Sequence, residues 1–106
     1  HDAYIHNSLL MGSKLSGARP VIFPHNKLEA LERRLARHRA SHRRAVILVE
    51  GVYSMDGDLP DLPALVALKR RYDAQLFIDE AHSIGVLGAR GRGIGEHCGV
   101  APGDVD

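Results

Sequence analysis

Asp79 and His82 are the residues whose types and spacing most invite chemistry. They lie in the stretch Leu76-Phe77-Ile78-Asp79-Glu80-Ala81-His82-Ser83-Ile84-Gly85-Val86-Leu87-Gly88, where an apolar run delivers a carboxylate at its far end. An acid and an imidazole three residues apart on one turn can grip two atoms of one ligand. Glu50 repeats the arrangement, as the carboxylate that ends Ala45-Val46-Ile47-Leu48-Val49. Behind His82 come Gly85, Gly88, Gly91, Gly93 and Gly95, as a backbone needs where it bends sharply or approaches a ligand closely. No metal site is expected. Asp56, Asp58 and Asp61 lack the spacing and terminal glutamate of a calcium loop, and none of the seven histidines shows a paired ligand spacing with a plausible second pair.

Positioning these groups falls to alternating strand and helix patterns. Leu76 to Asp79 suits a buried parallel strand, although periodicity alone does not exclude a buried helix. Ala45 to Glu50 is the strongest strand in the chain, β-branched and continuously apolar. Between them, Gly51 to Pro60 reads as a polar loop. Asp61 then caps a helix with Pro63 in its first turn and Leu62, Leu65, Val66, Leu68 and Tyr72 on one side. Earlier, Asp2 to His6 reads as a short strand or strand end. Asn7 or Ser8 caps a helix through Leu9, Leu10, Met11 and Leu15, stopped by Gly17. Arg19 to Phe23 reads as a strand with Pro20 at its start or at a sheet edge. His25-Asn26 opens a further helix with Leu28, Leu31 and Leu35 at helical spacing, Asn26 supplying the cap. The alternation predicts β–α–β units, an α/β class and a mostly parallel sheet. Ligands of such sheets sit beyond the carboxyl ends of the strands, where Asp79 and His82 fall.

Composition narrows the classes. The 106 residues form at most one small domain or a piece of a larger one. A net charge of +1 gives no global field toward nucleic acid or a membrane. The arginines from Arg33 to Arg44 share a helix with an apolar stripe, which reads as a solvated face. One cysteine fits a reducing, cytoplasmic setting. No apolar run approaches the ~20 residues needed to span a bilayer. The chain begins at His1 without methionine and ends at Asp106 within apparently ordered sequence, so a fragment is expected.

Three stretches taken together resemble the α-oxoamine synthases, fold-type I pyridoxal-phosphate enzymes that include 8-amino-7-oxononanoate synthase, 2-amino-3-ketobutyrate ligase, 5-aminolevulinate synthase and serine palmitoyltransferase. They are Asp2-Ala3-Tyr4-Ile5-His6-Asn7-Ser8, Glu50-Gly51-Val52-Tyr53-Ser54-Met55-Asp56-Gly57-Asp58, and Asp79 to Gly88 followed by Gly91-Arg92-Gly93. Their order and separations match the family over essentially the whole chain. The resemblance implies the central part of the large domain of an aspartate aminotransferase-like fold, residues 1–106, and pyridoxal 5'-phosphate as cofactor.

By that resemblance Asp79 faces the pyridine nitrogen and keeps it protonated, since an adjacent negative charge favours the cationic form. His82 donates to the phenolic oxygen, with Ser54 as a second donor, and His6 stacks on the ring. Glu50 is a pocket-lining candidate. The implied reaction condenses an amino acid with an acyl-CoA (or acyl-carrier) thioester. Its lysine lies beyond this chain, Lys14, Lys27 and Lys69 matching no such position. A homodimer with its active site at the subunit interface is implied as well. Lys27 and Asn7 depart from the family's usual residues, the first near a helix start, the second leaving the subfamily open.

Rival readings remain. Asp79 can cap a turn and nothing more. Asp79-Glu80-Ala81-His82 also spells the DEAH box of nucleic-acid-dependent ATPases, in which the Asp holds magnesium and the Glu positions water. The chain carries no G-x-x-x-x-G-K-[ST] phosphate loop, and that family gives no account of Glu50 to Asp58 or of the glycines after His82. A non-catalytic relic of the pyridoxal-phosphate fold is the third reading.

Overall fold

Two parallel strands joined through a helix form the centre of the computed structural model, which describes all 106 residues. Strand β1 (Val46–Glu50) pairs with β2 (Gln75–Asp79), Val46 opposite Gln75 and Glu50 opposite Asp79. This register brings the two strand-end carboxylates side by side. The crossover is helix α3 (Leu62–Arg71). Its start is set as the sequence predicts: Asp61 accepts the Ala64 N–H at 3.1 Å, and a proline sits in the first turn.

Helix α1 spans Asn7–Leu15 and α2 spans Leu28–His38. Ile47 and Val49 of β1 and Leu76 of β2 pack with Leu31 and Leu35 of α2 and Leu62, Leu65 and Val66 of α3. Fully burying a side chain of this kind stabilises by about 1.5–3 kcal/mol, so this cluster is what holds the strands in register. The short helix α4 (Ile94–Cys98) closes the core with Ile94.

The strands read as buried on both faces, yet only one face is covered within this chain. Val46 is 50 % exposed and Phe77 48 %, because α2 and α3 both lie against the side carrying Ile47, Val49 and Leu76. Helix α1 buries no residue at all, leaving Met11 and Leu15 exposed. Its expected Asn7 or Ser8 cap is replaced by His6, whose ring nitrogen accepts the Ser8 N–H at 3.2 Å.

Two short strands expected from sequence are not formed. Of Asp2–His6 and Arg19–Phe23, only an isolated bridge between Asp2 and Phe23 remains. Pro20 has no N–H to give a ladder, and both segments turn off to other partners after one pairing. Asn26 does not cap α2 either. It sits at φ +52 and turns its amide toward Asp58 and Leu59, leaving Lys27 at the cap position without a side-chain bond.

The arginine run behaves as a solvated face. Arg33, Arg34 and Arg37 are exposed, and Arg39 is structural, donating to the carbonyls of Tyr72, Asp73 and His42 and to the Asp73 carboxylate. A concavity of about 570 Å³ runs along the outer flank of β1 among Arg19, Arg34, Arg43 and Arg44 and includes none of the candidate site residues. No helix is long and apolar enough to cross a membrane.

Candidate active site

At the carboxyl ends of β1 and β2 the ladder extends one step, the Gly51 N–H donating to the Asp79 carbonyl at 2.8 Å. Asp79 is half-buried there. Its Oδ1 accepts the Ala81 N–H at 2.9 Å, and no protein group engages Oδ2. The turn cap therefore occupies one oxygen of Asp79 and leaves the other without a protein partner.

His82 rides on the turn that Asp79 caps. Its ring is exposed and free of hydrogen bonds. Ser54 stands on the loop leaving β1, exposed and with its hydroxyl unengaged. His6 arrives from the start of the chain, its backbone N–H donating to Glu50 Oε1. With Nδ1 accepting the Ser8 N–H, the proton of a neutral ring belongs on Nε2, which has no protein partner. Asp79, His82, Ser54 and His6 make no hydrogen bonds to one another.

Glu50 differs from its expected place in the pocket lining. It is 2 % exposed, and its carboxylate holds the His6 backbone. Its contribution is to fasten the His6 backbone to the end of β1, where Glu50 lies opposite Asp79.

Glu80 and Ser83 escaped sequence reasoning. The Glu80 carboxylate accepts from the Ser83 hydroxyl and, at 3.1 Å, from the Ile94 N–H, so it points into the protein beneath the turn that bears His82. Ser83 is fully buried. Gly51 and Gly93 are the residues that admit this carboxylate. A Cβ on Gly51 would lie 2.5 Å from Ser83 Oγ and 2.9 Å from Glu80 Oε2, and a Cβ on Gly93, at φ +88, would collide with the same carboxylate. A glutamate three residues before a serine was the only local sign. The ATPase reading fails on this geometry, because a carboxylate tied to Ser83 and Ile94 is not open to position a water.

Cys98 is no nucleophile candidate, since burial pushes its thiol up, helped by the charge of Asp61. No group of acidic, histidine or cysteine side chains is arranged to hold a metal ion.

The strand-end geometry has a counterpart in known proteins. The family described as aminotransferase class I and II matches residues 1–105. The chain belongs to that family. It is 54 % identical to an 8-amino-7-oxononanoate synthase of Geobacter sulfurreducens over 99 % of its own length and 26 % of that protein. It is also 46 % identical to serine palmitoyltransferase 2 of Caenorhabditis elegans, over 99 % of the chain and 20 % of that protein. Among solved structures, a serine palmitoyltransferase from S. paucimobilis with a bound PLP–myriocin aldimine superposes with a TM-score of 0.91 at 39 % identity. That match covers 99 % of this chain and 26 % of that one. An 8-amino-7-oxononanoate synthase from Francisella tularensis gives 0.75 at 34 % identity, covering 93 % of this chain and 27 % of that one. The α/β fold with parallel strands is thus that of these enzymes. The chain spans about a fifth to a quarter of the length of the relatives it matches.

Proposed function

We propose that these residues are the central part of the pyridoxal-phosphate-binding large domain of an enzyme that condenses an amino acid with an acyl-CoA or acyl-carrier thioester. In this reading the lysine that links the cofactor follows Asp106 in the complete protein. The protein is cytoplasmic, and a second copy completes the site. The apolar side chains left exposed, among them Met11, Leu15, Ile84 and Val86, give further chain or a partner subunit surface to cover.

One observation carries the reading: the register that sets Glu50 beside Asp79 and, through Glu50, fastens His6 to the same strand ends. The donor set left there suits the cofactor. A free carboxylate oxygen on Asp79 matches a protonated ring nitrogen. The unengaged imidazole of His82 and hydroxyl of Ser54 match an anionic phenolic oxygen, and the exposed ring of His6 offers a stacking face. Bound at this place, pyridoxal phosphate supplies an electron sink for bonds at the amino acid's α-carbon.

The chain's own residues do the rest. Asp79 holds a proton on the ring nitrogen, because its charge favours the cationic form. Its second oxygen, by capping the turn at Ala81, fixes where His82 stands. His82 donates to the phenolic oxygen and orients the ring, Ser54 assists from the opposite loop, and His6 keeps the ring plane fixed.

The test is the complete protein incubated with pyridoxal phosphate, an amino acid and a panel of acyl-CoA thioesters. Expected are an absorbing cofactor adduct, borohydride trapping on one lysine downstream of Asp106, and coenzyme A release that needs both substrates. A protein that binds no cofactor sinks the proposal. Binding and trapping without coenzyme A release would mean a relic.

A further inference from the structure

His25 is the hub of a cluster that the proposed chemistry does not use. Its Nδ1 lies 2.9 Å from Asp2 Oδ1 and its Nε2 lies 2.7 Å from Asp58 Oδ2. A neutral imidazole carries one N–H, so it would turn a lone pair toward one of these carboxylate oxygens. Only the imidazolium donates to both. No lysine or arginine pairs with Asp2 or Asp58, which leaves His25 the single paired cation for two acids, one of them fully buried. An unpaired buried carboxylate is costly, so the arrangement favours keeping the ring charged.

The cluster joins three stretches of chain. Asp2 also accepts the N–H groups of Tyr4 at 2.8 Å and Asn26 at 2.9 Å. Asn26 donates its amide to Asp58 Oδ2 at 2.8 Å and to the Leu59 carbonyl at 3.2 Å. The Tyr4 ring stacks flat on His25, with centroids 4.3 Å apart and planes at 11°, and Tyr53 meets His25 edge-on at 4.4 Å. Tyr4 stands two residues before His6, and Tyr53 one before Ser54. The two segments that carry these candidate contacts are thereby locked to each other through one ring.

We propose that His25 is a positioning residue: its imidazolium, clasped between Asp2 and Asp58, sets the His6 segment and the Ser54 loop in fixed relation at the mouth of the site. The consequence for the cofactor rests on the function proposed above; the clasp itself does not. The groups facing His25 are Asp2, Asp58, Tyr4 and Tyr53. Burial acts to lower its pKa, but the hydrogen bonds and charges of Asp2 and Asp58 outweigh it, and the pKa lies above 6.5. With the folded value raised, the clasp's stabilisation is complete below the ordinary histidine value of about 6.5 and is lost as pH rises through the raised one.

The test uses the complete protein without cofactor. Histidine ¹⁵N spectra should show both His25 nitrogens protonated at pH 6. Hydrogen exchange, corrected for intrinsic rates, should show residues 3–6 and 51–59 losing protection together as pH rises through that titration. In His25→Gln the same two segments should exchange faster by about tenfold or more, the loss expected for a charge-assisted hydrogen bond, with no pH step. The amides of β1 and β2 should be unaffected. With cofactor, His25→Gln should weaken binding severalfold.

A neutral His25 at pH 6, or loosening of one segment alone, overturns the proposal. Uniform loosening that includes β1 and β2 overturns it too, since that is what a merely structural role gives. Should His25→Gln not fold, Asp58→Asn serves: it cuts only one arm, so 51–59 should loosen while 3–6 stays protected, and the reverse pattern overturns the proposal. An intact clasp in a protein that binds no pyridoxal phosphate would sink the proposed function and leave the clasp standing.

Discussion

Asp79→Asn in the complete enzyme separates the charge of Asp79 from its place in the fold. In the structure Oδ1 accepts the Ala81 N–H at 2.9 Å, while no protein group engages Oδ2. An asparagine carbonyl can keep the first bond, so the turn bearing His82 should survive. What disappears is the charge that, in the proposed function, holds a proton on the cofactor's ring nitrogen. One pKa unit is about 1.4 kcal/mol, so a fall of two or three units at that nitrogen amounts to roughly 3–4 kcal/mol, or on the order of a hundredfold or more in turnover. Asp79→Ala removes the turn bond as well. A hydrogen bond to a charged group is worth about 1.5–3 kcal/mol, so the alanine variant should also melt lower, whereas the asparagine variant should melt close to wild type. The assays are the visible spectrum of the bound cofactor, coenzyme A release, and thermal melting of all three proteins. An asparagine variant with normal spectrum and near-normal turnover would refute the placement of Asp79 against the ring nitrogen. Equal melting losses in both variants would refute the division of labour between its two oxygens.

Further outcomes follow from the same geometry. His6→Asn offers an oxygen for the α1 cap but loses the ring, so cofactor affinity should fall about two- to tenfold by titration, from an aromatic pair worth about 0.5–1.5 kcal/mol; His6→Ala should in addition destabilise the start of α1 by about 1 kcal/mol. Gly93→Ala must place a Cβ against the Glu80 carboxylate from a left-handed backbone, so it should lower the melting temperature and turnover together, and a neutral result would contradict the packing of Glu80. Asp61→Ala removes the Ala64 cap and should cost about 1 kcal/mol in chemical denaturation with cofactor affinity unchanged. Glu96 is held below its ordinary 4.5, first by the Arg90 N–H, so its contribution is present above that value and lost as pH falls through the depressed one. Protection of the Arg90 and Arg92 amides, corrected for intrinsic exchange rates, should therefore fall on acidification, and pH-independent protection would refute the contact.

Local pattern was enough wherever a segment's partner lies next to it in sequence. The apolar runs ending in Glu50 and Asp79, the Asp61 cap and the leucines of α2 and α3 set two parallel strands and their covering helices, because periodicity and capping act within a few residues. The ordered motifs around His6, Ser54, Asp79 and His82 likewise marked the family. Tertiary structure alone decided what each polar group is for. Glu50 looked like a pocket residue until its carboxylate was found holding the His6 N–H, 44 residues away. Asn26 looked like a cap until Asp58 and Leu59 claimed its amide. The place of Glu80 beneath the turn depends on the room that Gly51 and Gly93 leave for it. The clasp of Asp2, His25 and Asp58 had no local sign, since its members are 23 and 33 residues apart. A hydrogen bond depends on distance and direction in space, which separation along the chain does not encode. Composition and periodicity therefore determine where strands and helices form, while burial and register decide which carboxylates support the backbone and which remain free to meet a ligand.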